Sequence, residues 1–301
     1  MLVLNTLALG KKVPVSRGEL VEIGGSFRLP ELMTRAGCEL MEVGTTNRTR
    51  LSDFADVADE AAMLLKVHPS NYHIEGFTES VATSELAQLA HAHNLSSCVD
   101  LGSGTLIDLT RFGLPAEPTP QEVLADGADL VTFSGDKLLG GVQAGIIVGK
   151  RELIERIRKN PMKRALRADK ITLAVLEATL KIYEDSDSLS DNIPILKIMT
   201  RPVAELEQAA QRLKSAFSAN YACAIERTEA QIGSGALPDK TLPSLALRLR
   251  HSSMSAKDIS TQLRALPVPV VGRIKDDCVW LDLRCAEPVD ELIEQLSRLP
   301  Q

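Results

Sequence analysis

An α/β fold on a mostly parallel sheet, followed by a small α+β domain, is predicted by three features of this 301-residue sequence. Short aliphatic runs alternate with helical stretches through its first two-thirds. A Gly140-Gly141 pair separates the last two of those runs, where a turn would fold them antiparallel. Beyond about residue 220 the pattern changes to strands mixed with two helices.

Residues 12–16 (KVPVS), 62–68 (AMLLKVH), 97–101 (SCVDL), 129–134 (DLVTFS) and 144–149 (AGIIVG) read as strands. They are rich in Val, Ile and Leu, as strands covered on both faces are. Residues 84–93 and 121–126 read as helices between them. Residues 171–183 combine strong helix formers with Leu and Ile at helical spacing, and 202–217 has a similar pattern. In the second domain 224–229, 244–250 and 279–284 read as strands, with helices near 256–266 and 289–299. The boundary falls in the helical linker 185–220, which gives a large domain over 1–200 and a small one over 201–301.

Composition bounds the class. Hydrophobic residues make up 44% of the chain, enough for a large core, and aromatics only 3%, so that core is aliphatic. No run of 18 apolar residues occurs, and the apolar start 1–10 is too short to span a membrane and lacks a preceding basic region. Cys38, Cys98, Cys223, Cys278 and Cys285 form no CxxC, which fits a reducing, cytoplasmic setting and no disulfide frame or zinc ribbon. The net charge of −6 does not suggest a general nucleic-acid binder. One segment departs from it: 150–170 holds nine basic and three acidic residues, a local +6. A solvated helix face is its plain explanation.

Three strand ends carry the candidate chemistry. Lys137 follows a predicted strand within Ser134-Gly135-Asp136-Lys137-Leu138-Leu139-Gly140-Gly141, whose small residues let a backbone approach a ligand. A lysine amine, once desolvated, forms Schiff bases; the bland alternative is a surface lysine in a turn. Asp100 ends the run SCVD, 37 residues before Lys137, which leaves room for one helix and one strand. Pyridoxal phosphate needs such a pair, a lysine for the aldehyde and a carboxylate for the pyridinium nitrogen. The alternative for Asp100 is a helix cap or a loop hydrogen bond. His68 ends a third strand, in Lys66-Val67-His68-Pro69-Ser70-Asn71-Tyr72, where it would stack on or bond to a cofactor ring or serve as a structural histidine. Open α/β sheets bind ligands at the carboxyl ends of their strands. Other motifs fail: 145–150 is one residue short of a phosphate-loop spacing, Gly102-Ser103-Gly104 lacks a third glycine, and neither HExxH, GxSxG nor metal-ligand spacing occurs.

Longer blocks resemble the bacterial selenocysteine synthase family, the L-seryl-tRNA(Sec) selenium transferases. They include VSRGELVEIGGSFRLPELMTRAGCEL (15–40), EVGTTNRT (42–49), KVHPSNYHIEGF (66–77) and VDLGSGTLIDL (99–109). FSGDKLLGGVQAGIIVGK (133–150), KRALRADKITLAVLEATL (163–180), QIGSGALP (231–238), PVPVVGRI (267–274) and WLDLRC (280–285) continue it over essentially the whole chain.

The resemblance implies a fold-type-I pyridoxal-phosphate-dependent transferase. By it, Lys137 is the Schiff-base lysine, Asp100 the pyridinium partner, and Asp136 assists catalysis. His68 and Ser134 are further cofactor contacts, and Arg164 and Arg167 bind the anionic selenium donor. Arginine forks suit such an oxyanion, and two arginines three apart on a helix would share a face. The implied substrates are seryl-tRNA(Sec) and selenophosphate. The implied chemistry is loss of the serine hydroxyl as water and addition of selenium at the β-carbon. The implied assembly is a homo-oligomeric ring of dimers with active sites at subunit interfaces. Family members extend further at the N-terminus, with a small tRNA-recognition domain and a stretch that approaches the cofactor phosphate. This chain is expected to begin inside the helix after that stretch, N-terminally truncated. Two other readings compete: a related lyase acting on an amino sugar acid, and an inactive fragment or scaffold. The RALRADK and KVHPSNY blocks favour the transferase.

Overall fold

The computed structural model describes residues 1–23, 27–184, 188–233, 236–237 and 240–300. Two compact units divide them: Met1–Ile193 with Gly233–Asp239, and Pro194–Ile232 with Lys240–Gln301. The break after Ile193 precedes the expected boundary at residue 200, and 233–239, expected in the small domain, belongs to the first unit. The physical reason is local: the Leu237 amide bonds the Ser70 carbonyl at 2.9 Å.

In the first unit the strands are β1 (Lys12–Ser16), β2 (Glu22–Ile23), β3 (Phe27–Arg28), β4 (Glu39–Val43), β5 (Met63–Val67), β6 (Ser96–Gly102), β7 (Leu130–Ser134) and β8 (Gly145–Gly149). β5, β6 and β7 pair in parallel, and β8 closes antiparallel on β7, as the glycine pair predicted. β1 pairs in parallel with β4 and meets the β5 side through a bridge from Lys12 to Ala61. β5 shows why the parallel strands are so aliphatic. Met63, Leu65 and Val67 enter one core and Leu64 another, so both faces are covered. β6 divides likewise, with Cys98 on one side and Val99 and Leu101 on the other.

The β2–β3 hairpin and β4 have no counterpart in the predicted strands. β4 (ELMEV) has Glu39 and Glu42 exposed or half-exposed and only Val43 buried, so its pattern looks polar. The helix Thr83–Ala92 covers β5 and β6 through Leu86 and Ala90, and Pro120–Ala125 is started by a reciprocal Thr119–Glu122 capping box.

The helix Lys170–Glu184 confirms the predicted one. The Asp169 carboxylate accepts the Ile171 and Thr172 amides at its start. It is anchored by Leu176, buried Thr179 and Tyr183, whose hydroxyl donates to the Leu139 carbonyl at 2.8 Å.

The second unit is an antiparallel sheet in the order β11 (Arg273–Lys275), β12 (Cys278–Asp282), β10 (Thr241–His251), β9 (Tyr221–Gln231). Helices Val203–Lys214, Ala256–Arg264 and Val289–Leu296 pack Leu206, Leu213, Ile259 and Leu263 onto Leu245, Leu247 and Leu249 of the sheet. This is the expected α+β unit, with β11 added and β9 longer than predicted. Among the described residues no helix is long and apolar enough to cross a membrane.

Candidate active site

The carboxyl ends of β5, β6 and β7 bring the sequence-predicted residues into one region. His68 follows β5, and its amide donates to the Asp100 carbonyl at 2.8 Å. Asp100 is the fifth residue of β6, half-buried; its Oδ1 accepts the Thr132 hydroxyl of β7 at 2.9 Å and the Gly102 amide at 3.3 Å. Its Oδ2 has no hydrogen-bond partner among the described residues. A register shift between Asp100 and Gly102 ends the regular ladder there. Asp100, Thr132 and Ser134 line a cavity of about 330 Å³.

Ser134 ends β7, and the loop to β8 carries Lys137. The Gly135 amide bonds the Ala144 carbonyl, the Gly141 amide bonds the Gly135 carbonyl, and the Leu138 amide reaches the Ser103 carbonyl at 3.2 Å. Space here is tight: a Cβ at Gly104, where φ is +67°, would sit 2.7 Å from the Ser134 carbonyl oxygen. Lys137 is half-buried, and none of the described carboxylates pairs with it. Asp136 beside it is exposed.

His68 turns its ring elsewhere. Its side chain lines a second cavity, of about 540 Å³, with Lys66, Tyr72 and Arg48. Its Nε2 lies 3.2 Å from Oε2 of Glu117, a carboxylate only 3% exposed. The same oxygen accepts the Ser103 hydroxyl at 2.9 Å. Nearby, Lys66 Nζ donates to Glu19 Oε1 at 2.9 Å and the Val67 amide to Glu19 Oε2 at 2.9 Å. Burial, with the Glu19 charge beside it, pushes the Tyr72 phenol up to about 12.

Arg164 and Arg167 are exposed, and they do not share a helix face. Arg164 lies in a single turn, Lys163–Leu166, and Arg167 follows it with extended geometry, ψ 140°. Pro161 and the Asp169 cap leave room for only that one turn between the longer helices. Leu166, between the arginines, nevertheless lines the Asp100 cavity. The basic segment is therefore two helices and a turn, not one amphipathic face.

Sequence reasoning missed Glu117, Thr132 and Glu19. Thr132 was the findable one: it lies two residues before Ser134 and so shares its face of the strand. Glu117 and Glu19 carry no local signal, because their partners are 14 to 49 residues away.

Residues 1–287 match the family model for L-seryl-tRNA selenium transferase (SelA). This chain belongs to that family. It is 53% identical to the L-seryl-tRNA(Sec) selenium transferase of Serratia proteamaculans, over 99% of this chain and 66% of that protein. The enzyme of the same name from Yersinia enterocolitica is 51% identical, over 98% of this chain and 66% of that protein. This member of the selenium transferase family thus spans just under two-thirds of the length of those relatives. A solved structure titled D-glucosaminate-6-phosphate ammonia-lyase superposes with a TM-score of 0.65 at 20% identity, covering 98% of this chain and 77% of that one. The fold is that of the fold-type-I pyridoxal-phosphate-dependent transferases.

The family implies pyridoxal phosphate as cofactor. The residues present fit it. Among the described residues, Asp100 keeps a carboxylate oxygen unpartnered on a cavity whose wall also offers two hydroxyls, and Lys137, on the next strand end, has no ion-pair partner. Among the described residues no group of His, Cys, Asp and Glu could hold a metal ion.

Proposed function

We propose that this chain carries the catalytic portion of an L-seryl-tRNA(Sec) selenium transferase. Its substrates are seryl-tRNA(Sec) and selenophosphate, and its product is L-selenocysteinyl-tRNA(Sec). The observation that carries the reading is the placement of Asp100 and Lys137 at neighbouring strand ends, in a chain 53% identical to an enzyme of that name. When bound, pyridoxal phosphate supplies an electron sink for charge developing at the serine α-carbon.

The chain's own residues do the rest. The Asp100 carboxylate holds the proton on the cofactor's ring nitrogen, and Thr132 fixes that carboxylate by its hydrogen bond. Lys137 holds the cofactor aldehyde before substrate arrives. Its amine would also be the base that takes the serine α-proton and the acid that returns a proton to the departing β-hydroxyl. Ser134, which lines the Asp100 cavity, would offer its hydroxyl to the cofactor. His68 contacts the cofactor from the side of the larger cavity, and exposed Asp136 assists proton movement beside Lys137. Arg164 and Arg167, either side of the cavity-lining Leu166 in the chain, would bind selenophosphate, which suits two guanidinium groups. The working form is a homo-oligomer, a ring of dimers, in the cytoplasm. A lyase acting on an amino sugar acid is less supported, because the likeness to the ammonia-lyase is one of fold alone.

Visible absorption after addition of pyridoxal phosphate tests the site, with Lys137→Ala measured in parallel. A band present in the wild type and absent from the variant is expected. Equal spectra, or no band in either, would sink the proposed cofactor site. Selenium transfer is then read by incubating the chain with seryl-tRNA(Sec) and labelled selenophosphate and chromatographing the aminoacyl product.

A further inference from the structure

We infer that Glu117 is the positioning residue of this site, locking together the strand ends that bear His68, Asp100 and Lys137. The inference rests on the proposed cofactor site and adds to it a residue that neither the spacing nor the motifs indicate.

Glu117 comes from the loop between the Leu109–Phe112 turn and the Pro120–Ala125 helix, between Pro115 and Pro118, which stiffen its backbone. It is buried, and a buried carboxylate is costly unless donors meet it. No lysine or arginine does so among the described residues. The Ser103 hydroxyl does, at 2.9 Å from Oε2, and His68 Nε2 stands 3.2 Å from the same oxygen. The Glu117 carboxylate thus stands against the imidazole edge of His68. The ring is thereby fixed on the wall of the 540 Å³ cavity.

The second donor extends the lock. Ser103 lies three residues past Asp100, in the loop ending β6, and its side chain is buried with Glu117. Its carbonyl accepts the Leu138 amide at 3.2 Å, so the loop bearing Lys137 hangs from the same residue. His68 in turn donates its amide to the Asp100 carbonyl. If Glu117 moved, its bond from Ser103 and its contact with His68 would both be lost, and three segments would lose a shared tether. Such networks act together rather than as separate bonds.

The test is a double-mutant cycle on the full chain, read as pyridoxal phosphate Kd and as Tm, with Glu117→Gln, His68→Asn and the pair. Glu117→Gln is expected to weaken cofactor binding about tenfold, the equivalent of one charged hydrogen bond, and to shift the visible band. The double variant should bind no more weakly than the worse single one, and its Tm should be no lower. Asp129→Asn, at the opposite ends of the same strands, is the control. It should lower Tm while leaving cofactor Kd unchanged. Wild-type affinity and spectrum in Glu117→Gln, or additive effects in the cycle, would overturn the inference. If the wild type binds no cofactor, the proposed function fails. The Tm cycle then decides alone: coupling upholds the lock between Glu117 and His68, and additivity overturns it.

Discussion

Replacing Asp129 by asparagine should destabilise the first unit by about 2–3 kcal/mol, which lowers Tm by roughly 5–10 °C for a unit of this size. Asp129 precedes β7, and its side chain is 3% exposed. Oδ2 accepts the Ser97 amide at 2.7 Å and the Ser97 hydroxyl at 3.3 Å. Oδ1 accepts His91 Nε2 at 2.9 Å and Lys150 Nζ at 2.5 Å. One carboxylate thus joins the start of β6, the helix Thr83–Ala92 and the residue after β8. Asparagine keeps the shape but points an NH2 at a donor on one side or the other. Hydrogen bonds to a charged group contribute about 1.5–3 kcal/mol each, and breaking a buried pair costs about 3–5 kcal/mol. His91 and Lys150 are 43% and 49% exposed, so water screens their share and the lower figure applies. The assay is urea unfolding of wild type and variant across pH. Burial alone would raise the Asp129 carboxyl, but the bonds from Lys150, Ser97 and His91 outweigh it and hold it below the ordinary value. A carboxyl lowered by folding stabilises fully above its unfolded value, near pH 4, and that stabilisation is lost as pH falls through the folded one. The gap between the proteins should be complete at pH 7 and close in acid. A gap under about 0.5 kcal/mol at pH 7, the size of an ordinary surface change, would refute the reasoning, as would one unchanged in strong acid.

Two further substitutions probe the backbone. Gly104→Ala, at φ +67° with the new Cβ 2.7 Å from the Ser134 carbonyl and 2.8 Å from the Phe133 ring, should cost about 2 kcal/mol or more in urea unfolding and abolish the cofactor band. Asp277→Gly should raise stability by roughly 0.5–1 kcal/mol, because Asp276 and Asp277 both hold φ 52° in the two-residue turn between β11 and β12, where glycine is favoured at the second position; a chemical melt of the variant measures it.

The strands that carry the site were legible because parallel strands buried on both faces leave aliphatic runs, and β5 (MLLKV) and β7 (LVTFS) are such runs. The position of Asp100 and Lys137 on neighbouring strands followed from spacing alone, since a parallel crossover needs about the length that separates them. β4 was illegible because ELMEV neither alternates nor forms an aliphatic run: Glu39 and Glu42, on opposite faces, are both exposed and only Val43 is buried. The two-arginine face failed for a different reason. Helical spacing assumes a continuing helix, and 163–169 keeps only one turn. Glu117 lay beyond reach altogether. Its neighbours are His68 and its donor Ser103, 49 and 14 residues away, so only the assembled sheet brings them together.

The return of 233–239 to the first unit has a consequence for how the chain is made. A ribosome releases residues in order, so His68, Asp100 and Lys137 emerge long before Leu237, whose amide closes on the Ser70 carbonyl. Ser70 in turn abuts Gly102, its hydroxyl 2.9 Å from where a Cβ there would be. A nascent chain halted at 193 can form the parallel sheet, yet the support beneath the β6 loop arrives only after β9 has been synthesised. The bond from Leu237 to Ser70 is therefore closed only at a late stage of translation.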